Sequence, residues 1–371
     1  MRNFSICTLA WLVLASFFCD QTVFAQRNKP DLTKIVDQTV DQEIKRQKVV
    51  GAAVGVIIKS KVVYAQGYGF SDLQSETPFT ENTILNWASN SKPVMAVLAM
   101  QLVQSGKLDL DKTINEYLPK LPAHLHSITP RHLLCHQSGI PHYSNGKIVP
   151  LQPKSEPALE HDPVKSLNRF IQSPLIFEPG ERKEYSSYAY VLLSAVVQAA
   201  GEEPIADQIA SRITAPLELS SFPLDVPFNN QENWSKSYRL VNGKQVELKD
   251  YAHFWKHGAG AYKSNVSDFA TFAKSFMKTK LINGRSKKIM FEDQTTKDKK
   301  TTGIGLGVYV SGTGKNLKIS HNGSQDETKT RMVVYPNQRH GVVVMCSGNN
   351  GEPGQISTAI YNALRKNKIR L

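Results

Sequence analysis

Leu32, Val36, Val40 and Ile44 recur every four residues, with Ile35 beside them. This spacing predicts an amphipathic helix started near Asp31. Two runs rich in β-branched residues follow, 52–58 and 62–66, with Lys59-Ser60-Lys61 as a hairpin turn. The other end of the chain mirrors this pattern. Residues 305–311, 317–320, 330–335 and 341–346 read as consecutive strands, and a closing helix covers about 355–365. The middle reads as helical. Residues 93–104 are apolar nearly all round, which predicts a buried helix ended by Gly106. Further helices are expected at 128–134, 188–200 and 266–277, and a hairpin at 238–248 around Asn242-Gly243. The Pro-rich polar stretch 144–163 reads as a surface loop of the kind that borders sites.

Strands at both ends with helices between them imply an α+β fold. An antiparallel sheet is built from both termini and flanked by helices, and a mostly helical lobe is inserted into it. The expected division is a sheet lobe of 26–85 and 300–371 and a helical lobe of 86–299, with a cleft between them as the natural binding site.

Composition adds the setting. The 371 residues are 40% hydrophobic and 21% charged, with 9% aromatics, which excludes a disordered or collagen-like chain. The 45 Lys and Arg against 32 Asp and Glu give a formal net charge of +13. Such a balance favours anionic surroundings, such as a cell-wall polymer, a membrane surface or nucleic acid. Arg2 followed by the apolar run 6–18 reads as an export signal, since spanning a bilayer takes ~20 apolar residues. Val23-Phe24-Ala25 places small residues before a cut, so residues 1–25 are expected to leave and the mature protein to be periplasmic or secreted. The alternative is an uncleaved anchor. Beyond Cys7 and Cys19 in this leader only Cys135 and Cys346 remain, read as free, buried thiols rather than a disulfide scaffold.

Three clusters carry candidate chemistry. In Ser89-Asn90-Ser91-Lys92, a hydroxyl and an amine lie on one face of a helix start. Lys can take the proton of Ser when burial lowers its pKa, and the helix N-terminus offers positive charge and a backbone N–H to an oxyanion. The same spacing occurs at Ser144–Lys147 in the polar loop and Ser275–Lys278 late in a helix, so only the first copy opens a long buried helix. Tyr185-Ser186-Ser187 precedes the apolar helix 188–200 and places a phenol where it could share a proton. His321-Asn322-Gly323-Ser324 follows a strand, with a Gly that admits a ligand to the backbone. The plain alternatives are a capping Ser89, a core Tyr185 and an ordinary turn at 321–324.

Taken together and in this order, these clusters resemble the serine β-lactamase-like family, which includes class C β-lactamases, D,D-peptidases, D-aminopeptidases and esterases. Gly106-Lys107-Leu108-Asp109-Leu110-Asp111, the run from Arg131 through His136 to Ile140, and Gly303-Ile304-Gly305-Leu306-Gly307 sit where members carry comparable segments. The stretch 133–143 is most similar to the LACTB-like branch. The resemblance implies a β-lactamase/transpeptidase-like fold and a serine hydrolase acting on an amide or ester, for example a D-amino-acid peptide of the cell wall, with no cofactor. By the same resemblance Ser89 is the acylated nucleophile, and Lys92 and Tyr185 transfer the proton. Ser187, His321 and Gly323 contact the substrate, and Ser89 and Ser324 supply oxyanion N–H groups.

Two positions depart from the family pattern. Ser187 stands where many members have Asn, and His321 where penicillin-binding members have Lys. A His is mostly neutral at pH 7, so the charge that would attract a β-lactam carboxylate is missing there. That favours peptidase or esterase action over efficient β-lactamase action and keeps open a β-lactam- or peptide-binding protein with little turnover. His132 and His136, four apart on the expected helix, have zinc-ligand spacing, but Leu133 replaces the Glu of a metalloprotease helix, so no metal is assigned. Basic clusters at 297–300 and 365–370 read as solvated faces, and no nucleic-acid motif accompanies them.

Overall fold

The β-branched runs at the two ends of the chain meet in one antiparallel sheet. The computed structural model describes residues 31–151, 162–222, 233–248 and 254–371. The leader and residues 152–161 of the Pro-rich loop lie outside the described residues. Seven strands form the sheet: β1 (Gly51–Ile58), β2 (Lys61–Asp72), β3 (Thr77–Pro78), β4 (Tyr309–Ser311), β5 (Lys318–Ser324), β6 (Thr328–Tyr335) and β7 (His340–Ser347). Their order is β3-β2-β1-β7-β6-β5-β4. The N-terminal hairpin and the C-terminal meander join at β1 and β7, where Val54 lies opposite Val344. Lys59 and Ser60 both adopt positive φ, as a two-residue hairpin turn requires.

Every residue of β1 is buried, because both faces of the sheet are covered. Helices α1 (Leu32–Gln47) and α2 (Ser91–Gln104) are the first two of five that matter for the site. The others are α3 (Ser187–Gly201), α4 (Val266–Ser275) and α5 (Pro353–Lys366). On one face Ala52, Val54 and Val56 pack with Val36, Val40 and Ile44 of α1 and Ile356, Ile360 and Leu364 of α5. On the other, Ala53 and Ile57 join the larger core built on α2, α3 and α4. Asp31 caps α1 through its carboxylate, as the pattern predicts.

Three expectations need correction. Residues 305–307 are not strand. Gly307 has φ +78°, and a Cβ there would collide with Ala96 of α2, so this apolar run is a turn packed on the central helix. The helix expected at 128–134 is only Pro130–Leu134. It ends before His136, which has φ +59°, so His132 and His136 do not share a helix face. The strand expected at 317–320 runs on through Ser324, so His321 and Gly323 lie within β5 rather than in a turn. Cys135 and Cys346 are free and buried, and burial pushes both thiols up to about 12.

Candidate active site

The first wall of the site is the entrance to α2. Eleven of its fourteen residues are buried, and Pro93 in the first turn fits because no intrahelical N–H is needed there. Ser89 sits in the 3-10 turn Ala88–Asn90 just before this helix, and Ala88 holds φ +49°. A left-handed non-Gly residue beside a candidate nucleophile is the kind of strain that surrounding structure must enforce. The enforcement is visible. The Asn90 side-chain amide bridges the Thr330 hydroxyl on β6 and, on β5, the His321 carbonyl and the Gly323 N–H. Gly323 has no room for a Cβ, which would strike Thr330 Oγ1 and the Trp87 carbonyl.

Lys92 lies in the first turn of α2 and is fully buried. Its Nζ is 3.1 Å from Ser89 Oγ, 3.3 Å from Ser187 Oγ and 2.6 Å from the Ala259 carbonyl. Burial holds the amine well below the usual lysine range. All three oxygens accept from its N–H groups, and burial shifts the balance toward the uncharged amine.

Tyr185 and Ser187 arrive from the second wall, the entrance to α3. Ser186 caps that helix by accepting from the Ala189 N–H and donates to the Pro141 carbonyl, which fixes the two neighbours. The Tyr185 hydroxyl donates to Ser89 Oγ at 2.7 Å, and its ring stands 4.9 Å from Lys92 Nζ. Burial raises its pKa, while hydrogen bonds to Ser89 and Ser187 pull it down. Two histidines brace this wall. The Ser186 N–H donates to His136 Nδ1 and the Ser187 N–H to His142 Nδ1. Both rings pack on Tyr185. Burial, followed by the Lys92 charge, drives both down, His142 to about 4.

The third wall is β5. Strand β4 pairs with it only along Lys318–Ser320, so beyond Ser320 that edge borders the cavity. Burial, then the charge of Lys92, drives His321 down to about 3. Its Nδ1 donates to the Asn322 carbonyl at 2.7 Å, which leaves Nε2 as an acceptor. Ser324 is exposed and its hydroxyl accepts from Lys329 Nζ.

The three walls enclose a cavity of about 390 Å³. Ser89, Tyr185, Ser187, His321 and Ser324 line it, while Lys92 lies beneath Ser89 and Gly323 behind the strand. The other two Ser-x-x-Lys copies do not contribute to this lining. His132 does not join either, since the N–H of Thr129 donates to its Nδ1 in the cap of Pro130–Leu134. Sequence reasoning assigned no role to His142, Tyr143, Lys256 or Tyr309, which also line the cavity. His142 and Tyr143 fall within the stretch already singled out, so their position carried a signal. Lys256 carried none.

The family model described as Beta-lactamase matches residues 36–366. The chain belongs to the beta-lactamase family. Among curated relatives it is 23% identical to Protein flp of Staphylococcus aureus strain N315 over 333 residues, 86% of this chain and 64% of that protein. It thus spans just under two thirds of that relative's length. Esterase EstB of Burkholderia gladioli is 29% identical over 210 residues, 54% of this chain and 53% of that one. Solved structures of the beta-lactamase-like fold agree. EstCE1, a hydrolase with promiscuous acyltransferase activity, superposes with a TM-score of 0.75 at 20% identity, covering 90% of this chain and 98% of that one. The D-amino acid amidase of Ochrobactrum anthropi SV3 gives 0.75 at 19%, covering 91% and 99%. The octameric penicillin-binding protein homologue of Pyrococcus abyssi gives 0.74 at 21%, covering 92% and 79%. The α+β, β-lactamase/transpeptidase-like fold expected from the sequence is therefore the fold of this family.

Proposed function

We propose that the protein is an exported serine hydrolase that cleaves an amide or ester through an acyl-enzyme on Ser89. One observation carries this reading: Ser89 Oγ is met by the buried Lys92 amine at 3.1 Å and by the Tyr185 phenol at 2.7 Å. Neutral Lys92 takes the hydroxyl proton as Oγ attacks the carbonyl carbon, so a C–O bond forms and the carbonyl oxygen becomes an oxyanion. The backbone N–H groups of Ser89 and Ser324 receive that oxyanion. As the tetrahedral centre collapses, the bond to the leaving group breaks, and the proton passes through Tyr185 to the departing nitrogen or oxygen. Water then enters, loses a proton to the same pair, and releases the acid from Ser89. Ser187 and His321 hold the substrate, with Nε2 of His321 accepting from it.

The esterase and D-amino acid amidase relatives support small esters and amides, D-amino acid amides among them, as substrates, and a D-amino-acid peptide of the cell wall extends that class. The leader pattern supports export, and the positive charge supports attraction to wall polymer or membrane. The test is a panel of chromogenic esters, D-aminoacyl amides and a cephalosporin with wild type and Ser89→Ala. Turnover that vanishes in Ser89→Ala supports the reading, and Ser89-independent turnover defeats it. A second reading, a binding protein with little turnover, draws on the short Ser187 in place of Asn. Ligand binding without hydrolysis across the panel would favour it.

A further inference from the structure

Among the described residues that line the cavity, Lys256 carries the one ammonium and none carries a carboxylate. The His321 wall cannot replace that charge, because its imidazole is neutral at pH 7 and presents an acceptor nitrogen. Lys256 closes the turn Phe254–Lys256, and the helical turn that follows, His257–Gly260, supplies the Ala259 carbonyl that holds Lys92. The segment that anchors the general base therefore also carries this cation. The Lys256 ammonium lies 5.6 Å from the Tyr143 ring centroid and 5.5 Å from that of Trp255, so aromatic faces position it. Arg169 stacks on Trp255 at 4.4 Å and adds positive potential to that corner. Glu327 and Asp326 act on Lys256 through space in the opposite sense to Lys92 and Arg169. Burial brings its pKa down to about 8, which leaves it mostly protonated at pH 7.

We infer that Lys256 is a specificity residue that selects substrates bearing a carboxylate, held by its ammonium beside the aromatic shelf of Tyr143 and Trp255. The inference rests on the acyl-enzyme reading for the identity of the substrate, yet it concerns binding and can be measured without turnover. A carboxylate entering this partly desolvated corner gains a charge-assisted hydrogen bond that a neutral isostere cannot make. The selection thus comes from the turn Phe254–Lys256 rather than from position 321, where the family resemblance implies a Lys in penicillin-binding members.

The experiment uses Ser89→Ala protein and two matched ligands, the mono-anilide of glutaric acid and its neutral methyl ester. Calorimetry at pH 7 should give the acid about tenfold tighter binding than the ester, a preference that shrinks with added salt. Lys256→Met in the same background should bring the affinity ratio close to one, and Lys256→Arg should keep most of it. Thermal melting of both variants reports their folding. Equal binding of the two ligands, no binding of either, or a preference that survives Lys256→Met would overturn the inference. Failure of the serine-hydrolase reading looks different: the preference persists in Ser89→Ala while wild type turns over no ester or amide.

Discussion

Tyr185 and Ser89 share a 2.7 Å hydrogen bond in which the phenol donates to the candidate nucleophile. The phenol is held there by packing on His136 and His142 rather than by a charged partner. Removing only its oxygen isolates its role. Tyr185→Phe should lower kcat on an activated ester by about 10²- to 10³-fold, the range of positioned acid–base groups, with little change in KM. A loss confined to KM would assign Tyr185 to binding alone.

Lys92 is a buried amine whose three partners are a carbonyl and two hydroxyls. Both Lys92→Met and Lys92→Arg should lose about 10³-fold in acylation rate, since a thioether has no basic nitrogen and a guanidinium stays charged. The thermal midpoint of Lys92→Met should hold or rise, because burying an amine carries a desolvation cost that an apolar chain of similar length does not. Acylation by wild type should increase with pH as the lowered Lys92 pKa is passed. Stopped-flow measurement of the acylation phase across pH checks these points.

Gly323 lets β5 pass against the turn that carries Ser89. Gly323→Ala should destabilise the fold by about 2–3 kcal/mol through overpacking against Thr330 and Trp87. A chemical-denaturation midpoint equal to wild type would show that the strand and the turn can separate freely.

Five histidines among the described residues resist protonation. Burial drives His132, His142 and His340 to about 4 and His321 to about 3, and holds His136 well below the usual histidine range. In the unfolded chain each titrates near 6.5, so between that value and the folded pKa the unfolded state binds more protons. Their contribution is fully present above about 6.5 and is lost as pH falls toward 4. The melting temperature should drop by about 5 °C between pH 7 and pH 5, before most carboxylates protonate. A flat melting temperature over this window would contradict the burial of these rings.

The parts of the site that the sequence made legible are local. Ser89 and Lys92 are one turn apart, Tyr185 and Ser187 flank one helix cap, and His321 and Gly323 share one strand, so short-range spacing makes them candidates and the family resemblance gives them roles. What assembles them is long-range. The meeting of Lys92 with the Ala259 carbonyl spans 167 positions, and Lys256 enters the cavity only because the same segment packs there. The first residues of the apolar run 305–311 alternate like a strand, while Gly307 adopts a positive φ to pack on Ala96, so the pattern and the structure part there. His136 leaves the helix face of His132 for a related reason: its positive φ lies beyond the end of a helix that local propensity would extend.

The central claim is a covalent bond to one oxygen. Wild-type protein mixed with an excess of a p-nitrophenyl ester and acid-quenched within milliseconds should gain the mass of one acyl group, and peptide mapping should place it on Ser89. An unchanged mass during Ser89-dependent turnover, or an equal adduct on Ser89→Ala, would contradict the account.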